Sequence, residues 1–151
     1  MKHWLFKTEP TSYSITDHQR EKKTLWTGIR NYQVRNFLRD DIKVGDKVLI
    51  YHSSSDEIGV VGLAEVIKEV MPDPTAFDKK NSHFDPKSSK DNPTWFCCEI
   101  KFVRKFQKTL LLKEIKQHQE LFEMKLLQKG SRLSITPVTK SEYDFIVKLS
   151  N

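Results

Sequence analysis

Apolar residues in this chain gather into short dense runs separated by polar stretches, and the runs have the length of strands more often than of helices. HWLF at His3–Phe6 and VLIY within Lys47–His52 are rich in β-branched and aromatic residues, so both are predicted strands, the second buried on both faces. Val44-Gly45-Asp46 is the turn leading into it. Ile58–Val70 reads as a longer strand forming a hairpin with Lys47–His52. Gly59 and Gly62 mark places in it where another backbone or a ligand comes close. Trp95–Phe106 alternates, with Phe96, Cys98, Ile100 and Phe102 on one face, and belongs in the middle of a sheet.

Helical signals lie between these runs. Ser14 with Asp17 three residues on is a variant of the capping box that opens a helical turn, after which the polar run Asp17–Lys23 reads as surface loop. Asn31 caps a helix through Arg39, with Val34, Phe37 and Leu38 turned to the core; the start of such a helix favours an anion. Met71–Thr94 carries Pro72, Pro74, Pro86 and Pro93 among Asp, Asn, Ser and Lys, which excludes regular structure over most of it. Loops of that length are functional or disordered. Leu110–Gln117 and Leu121–Lys129 read as helices, the second stopped by Gly130, and Arg132–Ile135 as a strand ended by Pro137. Thr139 and Glu142 form a capping box before a last helix bearing Phe145, Ile146 and Leu149. Strands and short helices in this order, with crossovers too irregular for a doubly wound sheet, predict an α+β domain built on a small mixed β-barrel flanked by short helices.

Composition narrows the picture. At 151 residues, 37% of them hydrophobic, the chain fits a single domain over 1–151. It has no long apolar run and no cationic segment followed by one, so neither a membrane span nor a secretory signal is expected. The two cysteines, Cys97 and Cys98, are neighbours that point to opposite faces of an extended chain, so they are expected to be reduced thiols. The five histidines are scattered, and no metal or cofactor is expected. The net charge of +6 is concentrated in Lys101–Arg132, which is either a phosphate-binding surface or a solvated face.

Candidate chemistry concentrates in Trp26–Arg39, WTGIRNYQVRNFLR, and in Tyr51-His52-Ser53. Trp26 and Tyr32 offer flat faces for a base. Arg30 and Arg35 offer forked cations for phosphate, and Asn31 can pair with a base edge or cap the helix. Each also has a plainer role: Trp26 in the core, Arg35 in a surface ion pair, His52 as a core histidine hydrogen-bonded to a nearby carbonyl. Tyr51, His52 and Ser53 end a buried strand, where polar side chains emerge at a barrel mouth. Nucleophile-elbow, phosphate-loop and paired metal-ligand motifs are missing, which disfavours an enzyme.

The words HWLFKTEP, WTGIRNYQVRNFLR, YHSSS, MPDPTAF, DNPTW and RLSITPV, in this order, resemble the EVE-domain family of the PUA-like superfamily, and the resemblance runs from Trp4 to about Leu149. It implies the PUA-like barrel, a pocket lined by Trp26 to Tyr32, and proximity of Lys7, Glu9 and Ser14 to the same cavity. It further implies a reader that binds RNA or DNA carrying a modified base, such as a modified cytosine. Two alternatives remain: a hydrolase of modified nucleosides using Lys7, Glu9 and Ser14, and a protein-interaction module. A cytoplasmic setting is expected.

Overall fold

The computed structural model describes residues 1–130 and 132–151. Its centre is a mixed sheet whose alternating side chains fill a core on each face. The strands are β1 (His3–Thr8), β2 (Lys23–Trp26), β3 (Lys47–His52), β4 (Gly59–Val66), β5 (Met71–Pro72), β6 (Phe96–Leu111) and β7 (Ile135–Val138). They lie in the order β2-β6-β4-β3-β1-β7, with β5 added beside β6. Only β1 and β3 run parallel, Leu5 opposite Leu49 and Lys7 opposite Tyr51; the other pairs are antiparallel.

Period-two alternation explains the two cores. Trp4 and Phe6 of β1, Val48 and Ile50 of β3, and Cys98 and Ile100 of β6 join Trp26, Val34 and Leu38 on one face. Leu5, Leu49, Tyr51 and Val60 face the other way, onto Ile115, Leu121, Met124 and Ile146. Near-continuous apolar runs such as VLIY are therefore required, because neither face of the central strands meets water.

The helices are short. α1 (Ile15–Glu21) occupies most of the stretch expected to be a polar loop. Its Ser14–Asp17 capping box is complete, and Ile15 and His18, one turn apart, are buried against the sheet; that single inward edge makes a helix out of an otherwise polar run. The helix expected from Asn31 splits into α2 (Tyr32–Asn36) and a π-helical turn at Phe37–Asp41, closed by Ile42 N–H donating to Phe37 O at 2.8 Å. Val34 and Leu38 are fully buried and Phe37 packs on Trp4 at 5.4 Å between centroids.

Other expectations shift for physical reasons. β6 runs on to Leu111, and α3 is only Leu112–Ile115, because Leu110 and Leu111 find partners in Val60 and Gly59. β4 holds Lys105 opposite Gly62 and Leu110 opposite Val60, so the chain between bulges and β6 bends sharply. A Cβ on Gly62 would lie 2.6 Å from both Arg104 O and the Ile15 side chain, which explains the glycine. The helix expected over Leu121–Lys129 is instead two 3-10 turns, Gln119–Leu121 and Lys125–Leu127. The strand expected at Arg132–Ile135 starts where it was to end and includes Pro137. Among the described residues it pairs only with β1, and an edge is where a strand tolerates a residue without an N–H. α4 (Lys140–Leu149) follows, with the Thr139–Glu142 box formed.

The expected closure into a barrel is not seen: β2 and β7 are edges, and no ladder joins them among the described residues. The sheet is an open one of seven strands. Both edges are four-residue strands.

Two polar anchors hold this frame. Asp46, buried at the turn into β3, accepts hydrogen bonds from Lys2 N–H, Trp4 Nε1–H and Lys43 N–H, each at 2.9 Å. Asp73, fully buried at the start of the long loop, accepts from Gly28 N–H at 2.8 Å, Thr75 N–H at 2.8 Å, Thr75 Oγ1–H at 2.6 Å and Arg30 Nη1–H at 3.0 Å. Burial would raise the Asp73 carboxyl, but the Thr75, Gly28 and Arg30 bonds outweigh it and hold the group below the ordinary carboxylate range. Arg30 completes the clamp: its Nη1 and Nη2 donate to Ile29 O at 2.8 Å and His83 O at 2.6 Å, and its guanidinium lies 5.4 Å over Trp95.

Arg30→Ala is expected to destabilise the protein by about 2 kcal/mol or more, since it leaves a buried carboxylate without its cation. The melting temperature should then fall by roughly 4–8 °C, and residues 78–93 should become a preferred site of limited proteolysis. Unchanged melting and unchanged cleavage would show that the guanidinium holds nothing. A pH dependence follows from three histidines, of which His3 is also lowered, chiefly by burial. Burial lowers the imidazole of His18, and burial followed by the Lys105 charge lowers that of His52, whose Nε2 accepts the Ile15 N–H at 3.1 Å. The unfolded chain therefore takes up protons near pH 6.5 that the folded chain takes up only at lower pH. Stability is complete above about pH 6.5 and declines below it. Melting curves between neutral and mildly acid pH should show a smaller decline for His52→Gln, which keeps an acceptor for Ile15 but does not titrate; parallel curves would remove His52 from the account.

Candidate functional site

The end of β1, the loop that follows it, β2 and the turn after β2 surround an open cleft of about 480 Å³, lined among others by Lys7, Tyr13, Thr24, Trp26, Gly28 and His83. Its size is that of a small-ligand site. Local bonds fix its walls. Lys7 N–H donates to Ser134 O at 2.8 Å, tying β1 to the segment before β7, and Thr8 Oγ1–H donates to Tyr13 O at 2.9 Å, folding the loop back. Gly28 has φ +85°, and a Cβ there would sit 2.9 Å from the His83 ring, so only glycine lets the long loop reach the cleft.

Trp26 belongs to the first core and also borders the cleft. Its indole is 8% exposed, packed against Phe6 at 5.4 Å and edge-on to Tyr13 at 6.0 Å, while it also lines the cleft. Tyr13 Oη–H donates to Glu21 at 3.0 Å, and burial foremost pushes its phenol up to about 12. It thus stays a neutral donor and a second aromatic wall. Lys7 is half-buried, with Nζ 5.9 Å from the Tyr51 ring centroid, and loss of water lowers its pKa. Two aromatic walls and the residues Ser12, Thr24, Thr27 and Ser134, with Lys7 at the border, suit a planar ligand with hydrogen-bonding edges.

The other expected site residues go elsewhere. Tyr51 is buried in the second core, beneath Lys7. His52 faces a different cleft of about 500 Å³ shared with Glu57, Lys105, Lys108 and Glu114; although larger, that cleft carries balanced charge and no tryptophan. Ser53 N–H donates to Thr8 O at 3.0 Å and so joins β3 to β1. Ser14 caps α1, its Oγ accepting the Asp17 N–H at 3.1 Å. Asn31 caps α2, accepting from Val34 N–H at 3.1 Å. Tyr32 lies outside the cleft and is 62% exposed, stacked on Trp95 at 4.9 Å. Arg35 lies 5.1 Å from the Tyr32 ring and donates to Thr94 O at 2.9 Å.

Lys7, Glu9 and Ser14 do not form a catalytic constellation: Glu9 is exposed, and the Ser14 hydroxyl is held by the helix it caps. Sequence reasoning missed Tyr13, Thr24, His83 and Asp73. The local signal that could have found Asp73 is Asp73-Pro74-Thr75, a cap-and-turn pattern, which opens a 3-10 helix at Pro74–Phe77 within the stretch expected to be irregular. Nothing local shows that the same carboxylate also receives Gly28 and Arg30.

Among solved structures, a protein from Pseudomonas syringae superimposes with a TM-score of 0.94 at 42% identity, covering 99% of each chain. The crystal structure of human THYN1 in complex with DNA containing 5-methylcytosine matches with a TM-score of 0.92 at 39% identity, covering all of this chain and 98% of that one. Human thymocyte nuclear protein 1 is 40% identical over 165 residues, spanning 97% of this chain and 73% of the relative. The EVE domain family model matches residues 2–149, and the chain belongs to the EVE domain family.

Proposed function

We propose that this protein is a nucleic-acid reader that takes a modified base, of the 5-methylcytosine kind, into the cleft beside Trp26. The observation that carries the reading is the cleft itself: an indole and a phenol for walls, hydroxyls around them, one under-solvated cation, and a fold matching at a TM-score of 0.92 a human protein crystallised with 5-methylcytosine-containing DNA. Apolar contact with Trp26 suits a methyl group, and the hydroxyls of Thr24, Thr27 and Ser134 suit the polar edge of a pyrimidine. Lys7 supplies attraction for a base carbonyl or a neighbouring phosphate.

An unpaired strand presents a base without the few kcal/mol that extrusion from a duplex costs, so RNA carrying such a base falls within the proposal beside DNA. Arg30 contributes indirectly, by holding the loop that brings His83 to the cleft.

Matched oligonucleotides with and without 5-methylcytosine, as DNA and RNA and at several salt concentrations, test the reading. The modified strand should bind more tightly. Lys7→Gln should weaken binding and flatten its salt dependence. Trp26→Leu should cost roughly 1 to 3 kcal/mol of binding, the worth of one stacked base, at a melting temperature monitored in parallel. Equal affinity for modified and plain strands, unmoved by Lys7→Gln, would leave only a generic polyanion binder.

A further inference from the structure

A chain of contacts among rings and guanidinium groups runs outward from the cleft. His83, on the cleft wall, has its carbonyl bound by Arg30; Arg30 lies over Trp95; Trp95 carries Tyr32; and Arg35 lies beside Tyr32. Trp95 is 5% exposed and fixed from below by its Nε1–H donating to Asp85 at 2.7 Å. Tyr32 is 62% exposed. Its ring is nonetheless held in place, tilted 35° on the indole and set at the first turn of α2 by the Asn31 cap. Arg35 bonds Asn36 Oδ1 at 2.8 Å and Thr94 O at 2.9 Å through Nε and Nη1, and neither partner is a carboxylate. No carboxylate pairs with Arg35 within 4.0 Å among the described residues, and Asp40, which pairs with Arg39, is near enough to feel the Arg35 charge.

A large aromatic ring held rigid and 62% exposed, with the Arg35 guanidinium over it at 5.1 Å from its centroid, offers a flat surface and a cation to another flat, electron-rich group next to an anion. We infer that Tyr32 and Arg35 form a second subsite, outside the cleft, that stacks an unpaired base of the nucleotide adjoining the one in the cleft and contacts its phosphate. The inference rests on the proposed reading, because the cleft orients the strand and the chain of contacts through Arg30 and Trp95 links Tyr32 to the cleft wall at His83. The simplest competing role, a cap that merely shields Trp95 from water, needs an apolar side chain but no ring, and that difference can be measured.

The probe is a short single-stranded DNA with one 5-methylcytosine flanked by 2-aminopurine, whose fluorescence falls when it stacks on an aromatic ring. Wild type and Tyr32→Phe should quench it on binding. Tyr32→Leu, which still covers Trp95, should bind about tenfold more weakly and fail to quench, with an unchanged melting temperature and unchanged preference for the modified strand. Arg35→Gln should keep the quenching and reduce the salt dependence by about one phosphate contact. Wild-type affinity and quenching in Tyr32→Leu, or a melting temperature that falls in step with its affinity, would overturn the subsite and leave a shielding role. Failure of the base-reading proposal would look different: wild type would bind modified and plain strands alike, while the Tyr32 comparison would still read on total affinity.

Discussion

One buried carboxylate sets the shape of the functional face. Asp73 sits at the root of a loop of more than twenty residues that has almost no regular structure, and such a loop has no ladder to hold it. Four donors converge on that carboxylate: two from its own turn, through Thr75, and two from across the molecule, through Gly28 and Arg30. The local pair shapes the turn, while the distant pair decides where the loop lies. Because the group is fully buried, its stability contribution depends on every donor being present. This makes the loop's position close to all-or-none.

That constraint explains why residues that look like ligands serve as supports. Arg30 was legible as a forked cation suited to an anion, and it does bind one; the anion is a carboxylate 43 positions along the chain. Asn31 was legible as a cap and is one. Periodicity and capping are written within a few residues and survive into the structure, as in β3, the Thr139–Glu142 box and the two-faced core. Partners that meet only through the fold, such as Arg30 with Asp73 or Trp4 with Asp46, leave no trace in local pattern. The same distinction accounts for the misjudged elements. α1 depends on His18 being buried beneath Tyr13 and against Phe102, and the reach of β6 depends on β4 being there to pair with it.

Trp26 shows how a core residue can also be a site residue. The ring is anchored by Phe6 and Tyr13 and belongs to the first core, so its position costs no ordering when a ligand arrives. Its small exposed part borders the cleft. An exposed tryptophan would offer more area but would lose side-chain freedom on binding; a partly buried one is already fixed. The anchoring that makes Trp26 a core residue by burial is what makes it a preorganised wall.

In the proposed reader this leads to a division of labour between neutral and charged groups. The cleft is walled by rings and hydroxyls with a single ammonium, Lys7, so discrimination among bases falls to shape and hydrogen-bond pattern. A cleft crowded with cations would hold any nucleotide by its phosphate and blunt that discrimination. Much of the chain's positive charge lies elsewhere, in the segment from Lys101 to Arg132, which contributes no residue to the cleft lining. Arg30 fits the same logic, since its pairing with Asp73 removes a strong phosphate-binding group from the rim and turns it into a strut. Selectivity for a modified base therefore calls for the internal neutralisation of Arg30 as much as for the presence of Trp26.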